Sequence, residues 1–246
     1  MNERRSRGFR EHLAYFSCLV VFGLLAGPAS ASGKLTPHIA EYNIKISVLS
    51  GRLSTQLKQT EAGYSAEHVI SPTGITQLVT RGKIAEISEF GEGPDGLYPI
   101  AYRSNDTISR EKPSADIRFD WDAEQARGTV DGEDVVMDLQ GLSHDRVSIQ
   151  YELMYDLLNN NTSPKYQLFE VDDLRILNIR TVGSKQVTVP AGSFDAIGIQ
   201  HQAENSSRVT TLWCVEELGY LPVIIEQHRD GKRRVRATLR NYTPTN

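Results

Sequence analysis

The chain has 246 residues, with 27 Lys and Arg against 31 Asp and Glu, and a formal net charge of −4. This acidic balance excludes a general nucleic-acid binder, because neutralising phosphates requires clustered Lys and Arg. The length suits one large all-β domain or two small ones.

The first 31 residues have the pattern of a secretory signal peptide. Four arginines precede an apolar stretch, Leu13–Gly27, which is followed by Pro28 and by the small-x-small cleavage site Ala29–Ala31. We predict cleavage after Ala31, a periplasmic location, and a mature chain of residues 32–246 that forms a single β-rich domain. The apolar stretch is shorter than the roughly 20 residues of a membrane anchor, so the mature chain is not expected to be an integral membrane protein.

Two rival export routes have weaker support. The pair Arg4-Arg5 suggests twin-arginine export, but Arg7 and Gly8 stand where apolar residues are expected. A lipoprotein anchor at Cys18 is disfavoured, because this residue lies within the apolar stretch with no small residue just before it. Cleavage would remove Cys18 and leave one thiol, Cys214, which cannot form an internal disulfide and has no adjacent base in sequence.

Most of the chain after residue 31 alternates apolar and polar side chains with a period of two. In the first such run, Tyr42, Ile44, Ile46 and Val48 share one face, as in a half-buried antiparallel strand. Further strands are predicted near 53–60, 64–71, 76–81, 83–90, 98–107, 115–121, 127–131 and 134–139, and then near 166–170, 174–182, 185–189, 194–203, 208–215, 221–228 and 232–241. The predicted fold is mainly β, with a single antiparallel sheet curled into a barrel-like domain, or alternatively a sandwich.

One helix, at about 145–159, interrupts the strands and is expected to cover the sheet. Asp145 or Ser143 can cap its start, and the asparagines after Leu158 can end it. Its apolar stripe predicts packing on the sheet, and its polar face carries Glu152 and Asp156. The stripe consists of Val147, Tyr151, Met154 and Leu158.

The last hairpin allows a prediction of register. A two-residue turn at Asp230-Gly231 would put apolar and basic side chains on the same face. A three-residue loop, 229–231, separates them and pairs Ile225 with Val235 and Glu226 with Arg234. We therefore predict the longer loop.

Several segments together resemble a bacterial family of exported proteins, domain of unknown function 3108. The resemblance is carried by Val187–Ala196, Thr211–Trp213, Leu218–Val223, Ile117–Asp122 and the helix Asp145–Leu153. It implies a Gram-negative envelope protein rich in antiparallel β structure, and it supplies no catalytic residues. The implied shape is similar to half-barrels that handle lipoproteins and lipids between the two membranes, which is an analogy of fold alone.

Few side chains suggest chemistry. Acids near 120–134 could bind a cation if a hairpin joined them, but the spacing is not that of a calcium loop, and the histidines lack zinc spacing. His144-Asp145 could hold a tuned imidazole, although capping of the helix is the simpler account. Ser193 lacks the GxSxG context of a hydrolase, and nucleotide-binding loops are absent from the sequence. We therefore predict no catalytic residue, metal or cofactor.

A basic cluster lies in the last predicted strand. Arg234, Arg236 and Arg240 share the face opposite its apolar residues. One interpretation is edge protection, in which charges on an outer strand prevent aggregation. The alternative is an anionic partner such as lipid headgroups.

These features lead to three hypotheses. The first is a non-enzymatic exported module that binds or carries an apolar ligand or an envelope partner. The second is an envelope hydrolase that uses acids near 120–134 or the pair His144 and Asp145. The third is a structural or assembly factor, which would have a filled barrel and an exposed apolar patch.

Overall fold

A computed structural model describes residues 33–109, 111, 113–170 and 173–245. The predicted signal peptide, its cleavage site and Cys18 lie outside these residues.

The described chain consists of fifteen strands and short helical segments. The strands are β1 His38–Ile46, β2 Leu49–Thr60, β3 Gly63–Pro72, β4 Ile84–Gly93, β5 Gly96–Asp106, β6 Ser114–Asp120, β7 Gln125–Val130, β8 Glu133–Asp138, β9 Ser143–His144, β10 Lys165–Glu170, β11 Asp173–Val189, β12 Gly192–Ala203, β13 Arg208–Val215, β14 Leu221–Arg229 and β15 Lys232–Pro244. The helices are α1 Thr76–Val79, α2 Ser148–Asn159 and a 3₁₀ turn, Glu216–Leu218.

All fifteen strands belong to one open, curled sheet, which confirms the predicted fold class. The order is β8-β7-β6-β5-β4-β3-β2-β1-β15-β14-β13-β12-β11-β10-β9, so the meander is joined in the middle by pairing of β1 with β15. Pairing is antiparallel except between β9 and β10. The strand predicted at 76–81 is wrong: Gly74, with φ of 58°, turns the chain into α1 instead.

The register predicted for the last hairpin is wrong, although the predicted faces are right. Asp230 and Gly231 both have left-handed backbone and form a two-residue turn. A bulge in β15 then shifts the pairing, so that Ile225 lies opposite Ala237 and Glu226 opposite Arg236. Because the bulge adds one residue, it restores the separation of apolar and basic faces that the sequence demanded.

Helix α2 lies inside the curl of the sheet. Tyr151 stacks on Phe90 with ring centroids 5.6 Å apart, within a large cluster to which both β1–β7 and β10–β15 contribute. None of the residues from Ser148 to Asn159 is exposed. The polar face of α2 is therefore enclosed as well, since Glu152 is 2% and Asp156 3% exposed.

Candidate functional site

A cavity of about 540 Å³ lies between α2 and the inner face of β10–β14. Strand alternation builds its floor, because every second side chain of each strand faces α2. The apolar lining consists of Ile149, Leu153, Leu168, Leu177, Ala203, Leu212 and Ile225. The floor is therefore aliphatic and is supplied by α2 and five successive strands.

The packing beneath this cavity is thin. Leu153 and Leu212 belong to a small cluster of buried residues completed by Ile199 and Cys214. Burial raises the pKa of the Cys214 thiol to about 12, so it stays protonated and fills space as a small apolar group. A packing role agrees with the sequence, in which Cys214 has no adjacent base.

Three arginines surround the mouth of the cavity. Arg146, just before α2, lies 3.8 Å from Glu86 Oε1 and 4.0 Å from Glu170 Oε1, so neither contact is a short hydrogen bond. Arg175 Nη1 lies 3.0 Å from Glu170 Oε2. Arg208 forms no ion pair with any residue that the structure describes. Arg175 also lies 3.1 Å from Asp173 Oδ2, so Glu86, Glu170 and Asp173 offset Arg146 and Arg175. Arg208 is the cation at the mouth that remains to attract an anionic group.

His201 is the titratable group deepest in this lining. It projects from β12 beside Thr210 of β13, its cross-strand partner. Burial lowers the pKa of His201 to about 4, so the imidazole is neutral near pH 7. The inner part of the cavity therefore carries no charge from this histidine at that pH.

The pair His144 and Asp145 has a structural role. Asp145 Oδ1 accepts hydrogen bonds from the N–H groups of Val147 and Ser148 at 2.8 and 2.9 Å, which caps α2 as predicted. Its other oxygen accepts the Ser88 hydroxyl of β4 at 2.6 Å. Burial lowers the pKa of His144 to about 3, which makes it a poor base near pH 7. Because the cap occupies the Asp145 carboxylate, the predicted catalytic pair is not supported.

The acids near 120–134 are not brought together. Asp120 pairs with Gln125 at one end of β6, whereas Asp131 and Glu133 lie at the turn beyond its other end. A strand of this length separates the two groups by about 20 Å. Among the described residues, no group of three or more His, Cys, Asp and Glu side chains could hold a metal ion.

The arginines of the last strand lie on the outer face of the sheet. Their strand, β15, sits in its middle between β14 and β1, so the edge-protection interpretation is wrong. Arg236 pairs with Glu226, and Arg233 lies 3.2 Å from the same carboxylate. Arg234 and Arg240 form no ion pair within the described part of the chain. An anionic partner for this face stays a prediction.

The buried carboxyl pair Glu152 and Asp156 was not predicted from the sequence. Glu152 Oε2 accepts the Leu97 N–H at 2.7 Å, and Asp156 accepts the hydroxyl of Tyr166. Burial, reinforced by the neighbouring Asp156, raises the pKa of Glu152 to about 8. The spacing of these acids in the sequence, i and i+4, predicts that they share one helix face. It does not predict that this face is buried.

The mouth of the cavity was also missed. Arg146 precedes α2, Arg175 lies on β11 and Arg208 on β13, and the three are about 30 residues apart in the chain. No local pattern links them, because sheet pairing alone brings them together. The aliphatic floor was visible only as ordinary strand alternation.

Solved structures resemble this fold. A β-barrel-like protein of domain of unknown function DUF1849 from Brucella abortus superposes with a TM-score of 0.57 at 11% identity, covering 87% of this chain and 100% of that chain. A "putative exported protein" with a YmcC-like fold from Bacteroides fragilis has a TM-score of 0.32 at 11% identity, covering 86% and 97%. A "putative lipoprotein" from Parabacteroides distasonis has a TM-score of 0.30 at 10% identity, covering 85% and 96%.

Two findings bear on identity and membrane attachment. A search of curated proteins found no match. Within residues 33–245, as far as the structure describes them, no helix is long and apolar enough to cross a membrane. Residues 39–238 match the family described as "Protein of unknown function (DUF3108)", and the chain belongs to this family.

Proposed function

We propose that this protein is an exported, non-enzymatic binding protein of the periplasm that holds an apolar chain between α2 and β10–β14. The observation that carries this proposal is the cavity of about 540 Å³ with an aliphatic floor. Its volume lies within the roughly 300–1,000 Å³ of small-molecule sites. Burying an acyl chain there would remove apolar surface of both partners from water.

The mouth of the cavity suggests which end of the ligand stays outside. Arg146 and Arg208 direct guanidinium groups to the rim without short ion pairs. A carboxylate or phosphate at the end of the apolar chain would accept hydrogen bonds from such groups. The favoured ligand is therefore amphipathic, with an aliphatic body and an anionic end.

The hydrolase and structural alternatives receive less support. The candidate acid pairs are separated or used as a helix cap. A purely structural role predicts a filled interior, whereas the inner face of β10–β14 is open beside α2. Binding therefore accounts for more of the observed geometry.

Filling the cavity tests the proposal directly. Ala203 lines the floor opposite Leu177, so Ala203→Trp should occupy the space of the ligand. Gln202→Trp, on the outer face of the same strand, is the matched control. A fluorescent fatty-acid analogue should bind the wild type and the control alike, and bind Ala203→Trp at least about tenfold more weakly.

Native mass spectrometry of the protein purified from the periplasm gives a second readout. We expect a bound species that Ala203→Trp loses. A wild type that binds no analogue and carries no bound species, or equal binding by both tryptophan variants, would overturn the proposal. Thermal unfolding of each variant shows whether the fold is kept.

A further inference from the structure

An exposed apolar tip lies at one end of the sheet, away from the cavity floor. Val48 and Leu49, at the turn between β1 and β2, are 93% and 41% exposed, and Ile75 and Leu78 of the α1 segment are 82% and 81% exposed. The Ser50 N–H donates to Thr76 Oγ1 at 3.0 Å, which holds the two segments together. Four large aliphatic side chains at one tip exceed the scattered exposure of an ordinary surface.

The segments that meet at this tip are strongly basic. The turn lies beside β15, because the Ser47 N–H donates to the Arg234 carbonyl at 2.7 Å. The three segments are 45–52, 73–83 and 232–236. They contain eight Lys and Arg and no Asp or Glu, in a chain whose net charge is −4. The basic residues are Lys45, Arg52, Arg81, Lys83, Lys232, Arg233, Arg234 and Arg236. Glu226 pairs with Arg233 and Arg236, and Glu41 lies 3.9 Å from Arg52, so the other five cations have no ion pair among the described residues.

We propose that this basic apolar tip docks the protein on an anionic lipid surface. Aliphatic side chains can enter the headgroup boundary while the surrounding cations remain at the level of the phosphates. Lys and Arg near an anionic bilayer each add to its attraction. Charge and apolar exposure thus favour the same partner at the same place.

The shape of the tip favours lipid over an acidic protein. The four apolar side chains are aliphatic, lie on a turn and a one-turn helix, and are each at least 41% exposed. Protein interfaces are enriched instead in aromatic residues and Met, packed into complementary pockets. A bilayer accepts protruding aliphatic groups without shape complementarity.

The mouth of the cavity lies at the same end of the sheet. Arg208 at the mouth is the cross-strand partner of Arg229, which ends β14 at its turn into β15. Docking through the tip would therefore bring the mouth toward the lipid. The docking proposal itself does not depend on a ligand in the cavity.

Vesicle flotation tests the docking. The protein should be purified from the periplasm, with its N-terminus determined by mass. We expect binding to vesicles of phosphatidylcholine and phosphatidylglycerol to be at least about tenfold tighter than to pure phosphatidylcholine, and to weaken as salt rises. Ile75→Ser with Leu78→Ser, and separately Arg81→Glu with Arg234→Glu, should each lower binding about tenfold or more.

Matched controls lie elsewhere on the surface. Val136→Ser removes an exposed apolar side chain on β8, and Lys58→Glu reverses a charge at the far end of β2. Both should bind vesicles as the wild type does. Ala203→Trp should also dock normally, so failure of the cavity and failure of the tip are distinguishable.

Three results would overturn the docking proposal. The first is equal binding to neutral and anionic vesicles. The second is loss of binding in the controls as large as that in the tip variants. The third is no vesicle binding by a folded wild type together with capture of an acidic envelope protein through the same tip residues, which would assign the surface to a protein partner.

Discussion

The two halves of the sheet face the same helix but pack against it differently. Strands β1–β8, the filled half, meet α2 with aromatic and aliphatic side chains such as Tyr42, Phe90 and Leu57, all nearly inaccessible to solvent. Strands β10–β14, the open half, also contribute to the large core cluster through residues such as Leu221 and Val223, but beside α2 they present a small separate cluster around Leu212 and a cavity. One curled sheet thus combines a packed core with space for a ligand.

Hydrogen bonds show the same asymmetry. Polar groups of the filled half hold α2 through Ser88 to Asp145, the Leu97 N–H to Glu152 and Glu92 to Tyr155. On the side of the open half, Tyr166 of β10 bonds Asp156. A helix anchored mainly on one side leaves its other side free to face a ligand. Fold and function can therefore be separated by mutation.

The largest expected effect comes from equal truncations in the two halves. Leu57 lies in the filled half and is 0% exposed, so Leu57→Ala should lower the free energy of unfolding by about 4 kcal/mol. Leu212→Ala, beside the existing cavity, should cost about 2 kcal/mol because fewer packing contacts are lost. Urea unfolding measures both, and equal costs would contradict the distinction between the halves.

The second prediction concerns the anchoring of α2. Asp145→Ala leaves the donors of Ser88, Val147 and Ser148 without their acceptor, and should destabilise the protein by about 3 kcal/mol. Tyr166→Phe removes the hydrogen bond to Asp156 and should cost about 1 kcal/mol. If Tyr166→Phe lowered the free energy of unfolding more than Asp145→Ala does, the open half would be the main anchor of the helix.

Periodicity predicted the elements of this fold well. The strand expected near 115–121 is β6, at 114–120, and the strand expected near 134–139 is β8, at 133–138. Alternation works because each of these strands has one face against the interior. It also separated the two faces of β15, although the bulge that sets its register left no signal in the pattern.

Pairing between distant segments could not be predicted in the same way. The partnership of β1 with β15, the burial of Glu152 and the convergence of Arg146 with Arg208 depend on how the sheet curls. Local pattern determines which side chains share a face, and it does not determine what that face meets. For this reason the sequence predicted the scaffold and missed the cavity.

The third prediction is a pH dependence carried by the filled half. Glu152 has a folded pKa of about 8 against an ordinary 4.5, so the folded state binds an extra proton between these values. Stability from this group therefore falls as pH rises through the window. Burial lowers the pKa of His68 and His201 to about 4 and that of His144 to about 3, which gives the opposite slope below their ordinary 6.5.

At pH 6.5 the buried histidines, His38 included, are neutral when folded but about half protonated when unfolded, so their slope opposes that of Glu152 in the lower part of this interval. The contribution of Glu152 is therefore measured as the difference between the wild type and a variant that lacks the carboxyl group. At a limit of about 1.4 kcal/mol per pH unit, the stability contributed by Glu152 falls by at most about 2 kcal/mol between pH 6.5 and 8. Glu152→Gln keeps an acceptor for Leu97 and should remove this loss, so that its stability rises relative to the wild type between pH 6.5 and 8, whereas Glu133→Gln, on an exposed turn, should follow the wild type. Urea midpoints at the two pH values measure the effect, and a slope unchanged in Glu152→Gln would assign it to another group.

The smallest effects should occur on the outer face, where the two halves ought not to differ. Arg103 lies 2.6 Å from Glu89 on the filled half, and Arg236 pairs with Glu226 across β14 and β15. Both pairs are partly exposed, so Arg103→Ala and Arg236→Ala should each cost less than about 1 kcal/mol. Urea unfolding of the two variants should give equal free energies. A loss above about 2 kcal/mol at either site would show that the solvated face also contributes to the difference in stability between the two halves, in addition to packing against α2.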